Sequence, residues 1–171
     1  AADCDYPAAN KLLHDLFHIH YLPVNNTEDE NEDDQQLLNY IAQQNTEYAE
    51  KCRVYLKNDR GIPDHIITAG IKNGTLGWTD YTNPKLKPNE PHYGGEAVSF
   101  LTYLPGTRSL AGVDYRYYNP DLNGGMKTKS LGKKNSVYWT LDPRAVRNAH
   151  TVYVVEGPLD ALSIEAAFSN N

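Results

Sequence analysis

The sequence predicts an α+β fold: a helical amino-terminal region, a small antiparallel sheet, and then one strand and one helix of the kind that opens an α/β unit. Three observations carry this. Apolar residues recur at helical spacing as far as residue 70. From residue 71 the chain changes to β-branched and aromatic runs divided by Pro, Gly and Asn turn signals. Near the end, a short apolar run passes through an acidic loop into a second helical pattern.

Residues 1–24 form a short helical lead-in, with Leu12, Leu13, Leu16, Phe17 and Ile19 giving an amphipathic helix over residues 7–20. Residues 25–36 read as an acidic linker. Six of the seven residues 28–34 are Asp or Glu, and a run that repels itself and carries no apolar side chain has nothing to bury. Residues 37–150 are the main lobe. Its apolar positions Leu37, Leu38, Ile41, Tyr48, Cys52, Tyr55 and Leu56 fit one or two helices, with Arg53 and Lys57 in the last turn and Gly61 as the stop. Pro63 and Asp64 open a further helix that is expected to break at Gly70.

Strands are expected at residues 97–104, 109–117 and 136–140, separated by Pro105-Gly106, Asn119-Pro120 and Asn123-Gly124-Gly125. A helix start follows at Asp142-Pro143. Residues 151–155 read as a fully buried strand and residues 158–168 as a helix, so 151–171 begin an α/β unit.

Composition narrows the function. With 40% apolar residues, 13 Tyr and 2 Trp, the chain can build a core, and no apolar run approaches the roughly 20 residues of a membrane span. No secretory leader opens the sequence, so no membrane partner is expected and the location expected is the cytoplasm. Cys4 and Cys52 stand far apart and His14, His18 and His20 have no matching carboxylates or cysteines, so the chain carries no zinc site. Charge is uneven: residues 1–50 hold 11 acids and 1 base, while residues 101–150 hold 3 acids and 8 bases. A basic stretch running straight into acids suits a polyanion groove beside a metal site, with ordinary solvated surface as the alternative.

Glu156-Gly157-Pro158-Leu159-Asp160 carries the chemistry. One carboxylate stands at a strand end and a second in the first turn of the next helix, where ligands of open α/β sheets bind. Such a pair suits Mg²⁺, and Glu156 is also a candidate general acid or base. The bland reading makes Glu156 a strand-end residue and Asp160 a complement to the helix dipole.

Residues 152–163 (Val-Tyr-Val-Val-Glu-Gly-Pro-Leu-Asp-Ala-Leu-Ser) resemble the first motif of Toprim domains, most closely those of primases and of phage or plasmid primase-helicases. Upstream, Tyr55–Ile67 resembles the helix corner of the amino-terminal lobe of bacterial-type DNA primase cores. Phe100–Arg116 resembles that lobe's hairpin, and Lys127–Lys134 stands where the family has a basic loop. The resemblance covers roughly residues 52–167.

It implies a primase-core sheet lobe followed by the start of a Toprim domain, in a protein that makes short RNA primers on single-stranded DNA. Its site residues would be Glu156 and Asp160 for catalysis and metal, with Arg116, Lys127, Lys129, Lys133 and Lys134 for template and nucleotide. Mg²⁺ or Mn²⁺ is the implied cofactor. Single-stranded DNA, nucleoside triphosphates and a replicative helicase are the implied partners. Tyr115, Tyr117, Tyr118, Tyr138 and Trp139 read first as packing, with stacking on unpaired bases as the alternative. The family's amino-terminal zinc finger is not in the sequence, and its second acidic motif, a D-x-D on the strand after the motif-one helix, is expected beyond Asn171, so the chain alone is expected neither to make primers nor to hold catalytic metal tightly. A non-catalytic DNA or replication-partner binding module and a Toprim-type nuclease remain open.

Overall fold

The computed structural model describes residues 30–104, 107, 109–132, 137–146 and 148–169. Within them the α+β expectation holds, as helices packed on both faces of one four-stranded antiparallel sheet. The helix read at residues 7–20 lies outside the described residues.

Helix α1 spans Glu30–Glu47 and α2 spans Ala49–Asn58. The acidic stretch therefore departs from the linker reading: from Glu30 onward it forms the first turns of α1. Acids suit the amino-terminal end of a helix dipole, so a segment with no apolar residue can still begin a helix. Helix α3 spans Asp64–Asn73, entered through Pro63. It does not break at Gly70 but ends at Gly74, which takes a left-handed φ of 72° and donates its N–H to the carbonyls of Gly70 and Ile71. Gly70 serves packing instead, since a Cβ there would lie 2.8 Å from Leu76 Cβ and 2.9 Å from Leu141 Cδ1.

The strands are β1 (Leu76–Thr82), β2 (Gly94–Tyr103), β3 (Leu110–Tyr117) and β4 (Thr128–Gly132), paired in sequence order. Two of them answer the expected runs; β1 and β4 do not, and β4 occupies most of the segment read as a basic loop. Between β3 and β4 a 3-10 turn at Pro120–Asn123 is tied back to the sheet. Its fully buried Asn123 accepts from Gly94 N (2.7 Å) and donates to Gly94 O (2.9 Å), extending the ladder with a side-chain amide.

Residues 137–140 form no strand. Their aromatic content closes the end of the sheet: Trp139 packs edge-on against Phe100 and donates to Thr75 O at 2.8 Å. The short helix α4 (Pro143–Val146) follows, with Asp142 accepting from Arg144 N at 2.8 Å. Residues 151–155 are also not the buried strand that was expected: they join no ladder, and Val152, Tyr153 and Val154 are 56%, 59% and 74% exposed. An apolar run reports an appetite for burial, and the described residues supply no neighbouring strand to meet it. Helix α5 (Pro158–Ser169) docks through Leu162, which is fully buried.

The sheet separates two cores. On one face Leu38 and Ile41 of α1 meet Ala97, Leu101, Val113, Tyr115 and Tyr117. On the other, Cys52, Tyr55, Leu56, Ile66 and Ile67 of α2 and α3, with Leu162, meet Leu76, Trp78, Val98 and Phe100. Burial pushes the Cys52 thiol up to about 12. The first face also holds polar ties. Gln44 Oε1 accepts from Thr79 Oγ1 and from Asp80 N (3.2 Å), and Asn45 Oδ1 accepts from Ser99 Oγ. Gly77 makes room for this, because a Cβ there would fall 2.2 Å from Asn45 Cγ.

Gly77→Ala is expected to destabilise the fold by about 1–3 kcal/mol through overpacking; an unchanged urea midpoint would show that α1 can shift off β1. A second expectation concerns pH. The hydrogen bond from Arg53 Nη1 to Asp64 Oδ1 (2.7 Å) holds the Asp64 carboxyl below its ordinary value. A carboxyl depressed on folding stabilises above its unfolded pKa and loses that contribution as pH falls through the folded one. Asp64→Asn should therefore lower the urea midpoint at neutral pH, with the difference from wild type vanishing in acid once the folded carboxyl is protonated. A difference that persists in acid would assign the effect to something other than charge.

Candidate nucleic-acid interface and acidic motif

The acidic motif lies at the entry to α5. Glu156 and Gly157 form a bend, and the N–H groups of Asp160 and Ala161 both donate to Gly157 O at 3.1 Å. A Cβ on Gly157 would sit 3.5 Å from Asp160 Oδ2, so the Asp160 carboxylate lies back over the bend that follows Glu156. Both carboxylates are exposed. As hard oxygen donors one turn apart they match what Mg²⁺ takes from a protein when waters and phosphate oxygens complete its shell. Among the described residues no group of three or more His, Cys, Asp or Glu side chains comes together to hold an ion.

The basic residues do not share one surface. Cross-strand partners point to the same face, so Trp78, Val98, Arg116 and Thr128 form one row across the sheet, on the α2–α3 side. Lys129 pairs with Tyr115 and therefore lies on the opposite, α1 side. Lys127 is exposed just before β4, and its carbonyl accepts from Tyr117 N at 3.1 Å. Lys133 and Lys134 lie outside the described residues. The pleat thus divides Arg116 from Lys129, which no count of basic residues along the chain reveals.

The aromatics divide in the same way. Tyr115 and Tyr117 are each 4% exposed, stacked with rings 17° from parallel beneath α1. Burial raises both phenols, that of Tyr117 to about 12. Trp139 is held by Phe100 and Thr75, while Tyr138 is exposed. Tyr118, two residues beyond Arg116 on the same face, is 55% exposed yet fixed by two rings: Tyr55 at 5.8 Å and 80°, and Trp78 at 5.9 Å and 55°. Arg60 lies over Tyr55, 5.4 Å from its centroid, and its Nε donates to the Tyr55 hydroxyl. Sequence reading missed this cluster because Trp78 belongs to a strand it did not find. The period-2 link between Arg116 and Tyr118 was there to be read.

Behind the α1 face, Thr79, Tyr81, His92, Gly94, Gly95, Tyr115, Tyr117 and Lys129 line a cleft of about 10 Å³, on the scale of a single water. The Tyr115 hydroxyl and His92 Nδ1 are buried there without hydrogen-bond partners among the described residues, and His92 has a left-handed φ of 63°.

No family model, curated protein or solved structure matches this chain.

Because an unpaired buried hydroxyl costs about 1–3 kcal/mol of desolvation, Tyr115→Phe should leave stability unchanged or raise it. A fall of more than about 1 kcal/mol in chemical denaturation would mean that water bridges this hydroxyl in solution.

Proposed function

We propose that the chain is part of a DNA primase and that it handles single-stranded template and nucleoside triphosphate during RNA primer synthesis. The observation that carries this reading is the order of features along one chain. A helix corner at α2–α3 is followed by the β2–β3 hairpin ending in Arg116, a basic segment from Lys127, and then the E-G-P-L-D turn at the start of α5. The last of these alone fits any Toprim protein. The lobe before it favours primase.

In this reading Glu156 and Asp160 would hold Mg²⁺ or Mn²⁺, which would supply charge stabilisation for phosphoryl transfer. Arg116 supplies a guanidinium to the phosphate backbone, bidentate where geometry allows. Lys127, and Lys133 and Lys134 beyond it in sequence, add charge to the same polyanion. Lys129 contributes from the other face of the sheet. A replicative helicase and a cytoplasmic setting belong to the same proposal.

A second reading, a single-stranded-DNA or replication-partner binding module without catalysis, draws on one observation: the described residues bring only two carboxylates to the acidic turn.

The test uses the protein that carries this chain, an unprimed single-stranded DNA template, ribonucleoside triphosphates and Mg²⁺ or Mn²⁺. Short RNA products are expected, with Glu156→Gln lowering their yield by about 100-fold or more. Full activity in that variant removes Glu156 from the site. Strand cleavage in place of synthesis selects a nuclease, and template binding with neither activity selects the module.

A further inference from the structure

We infer that Tyr118 and Arg116 form a one-nucleotide subsite, with the base stacked on the Tyr118 ring and its phosphate on the Arg116 guanidinium. The inference deepens the proposed handling of nucleic acid and rests on that reading for the identity of the ligand. Its grounds are geometric and electrostatic.

Of the aromatics at 115–118 and 138–139, Tyr118 is the one that is both presented and held by neighbouring rings. Tyr115 and Tyr117, its neighbours in the chain, point to the α1 face and are buried. Tyr138 is 60% exposed, and no ring contact to it is found among the described residues. Tyr118 is 55% exposed, and an edge-on contact to Tyr55 and a tilted one to Trp78 fix its plane. Tyr55 and Trp78 in turn brace each other at 5.8 Å. The backbone adds a restraint, because Tyr118 N donates to Glu96 O at 2.8 Å. A rigid exposed ring loses little freedom when a base stacks on it, so most of the stacking energy survives as affinity.

Arg116 stands two residues away on the same face, about 6.6 Å along the strand. That spacing lets a single nucleotide reach both, its base over the ring and its phosphate at the guanidinium. The residue is half-buried, and no ion pair to it is found among the described residues. A guanidinium with no ion pair of its own keeps its fork of donors free for a phosphate.

The neighbouring acids are largely committed elsewhere. Asp114, next along the strand, accepts from Ser130 Oγ. Glu96, next in the Tyr118 direction, is bound by Lys51 Nζ at 2.5 Å. Asp80 is exposed at the outer end of that row. Arg60, over Tyr55, adds a second positive charge beside the ring cluster. An aromatic platform with fixed cations beside it suits a base and its phosphate better than an apolar peptide.

The same chemistry comes from two sources, a template strand or a free nucleoside triphosphate, and the test separates them. The probes are a fluorescein-labelled oligo-dT, an abasic strand of the same length, and ATP, each titrated into the intact chain and its variants. Tyr118→Ala should weaken oligo-dT binding by about 5- to 100-fold and leave the abasic strand unaffected. Tyr118→Phe should bind like wild type. Tyr118→Leu, which keeps apolar contact with Tyr55 and Trp78, should lose affinity as the Ala variant does, so the result does not hang on local packing. Arg116→Ala should weaken both strands and lower the slope of log K against log salt by about one.

Loss confined to ATP assigns the subsite to the incoming nucleotide, and loss confined to oligo-dT assigns it to the template. Wild-type affinity of Tyr118→Ala for both ligands, or equal loss on the dT and abasic strands, overturns the subsite. Failure of primer synthesis with these variant effects intact would remove the primase reading and leave the subsite standing.

Discussion

The seating of helix α1 on the sheet depends on two adjacent buried amides, Gln44 and Asn45. A helix packed on a sheet by apolar contact alone can slide by a turn at little cost, because Leu38 and Ile41 would find similar hollows elsewhere. Gln44 removes that freedom by accepting from both the Thr79 hydroxyl and the Asp80 N–H, and Asn45 by accepting from Ser99 on the next strand. The absence of a side chain at Gly77 completes the lock. Asn45 Nδ2 has no hydrogen-bond partner among the described residues, a local cost set against a single register. Because α1 then covers one face of the sheet, the other must take α2 and α3.

That division of faces settles which side chains can meet a ligand. On β3 the alternation sends Val113, Tyr115 and Tyr117 into the α1 core, and Asp114, Arg116 and then Tyr118 to the opposite side. There α2 and α3 cover Trp78 and Val98 but stop short of β3 and β4. Arg116 is therefore half-buried rather than lost in the core. A lysine on β4 only one residue out of phase, Lys129, belongs to a different surface altogether.

The helices and the central hairpin were legible because their signals are local. Pro63 with Asp64 marks a helix entry, Gly61 a helix exit, and the runs at 97–104 and 109–117 have enough β-branched and aromatic residues to declare strands. The outer strands were not. β1 begins with four consecutive buried residues and shows no alternation, and β4 is a five-residue edge whose lysine and glycine disguise it as loop. Residues 151–155 show the reverse error, in which hydrophobicity without partners mimics a strand. The E-G-P-L-D turn was visible as sequence and folds at a helix entry as read. Tyr118 was seen as one of five aromatics. What separates it from Tyr115 and Tyr117 is which face α1 covers, and from Tyr138 the two rings that hold it, both tertiary facts.

Cys52, fully buried between α2 and the sheet and pushed up to about 12, gives the fold a built-in clock. An alkylating reagent can reach this sulfur only when α2 lifts from Trp78 and Phe100, and only the thiolate reacts. In a Cys4→Ser background the rate of modification would then count openings of that one core, separately from any loosening of α1 on the other side. Two halves of a protein with a single sheet could thus be timed independently.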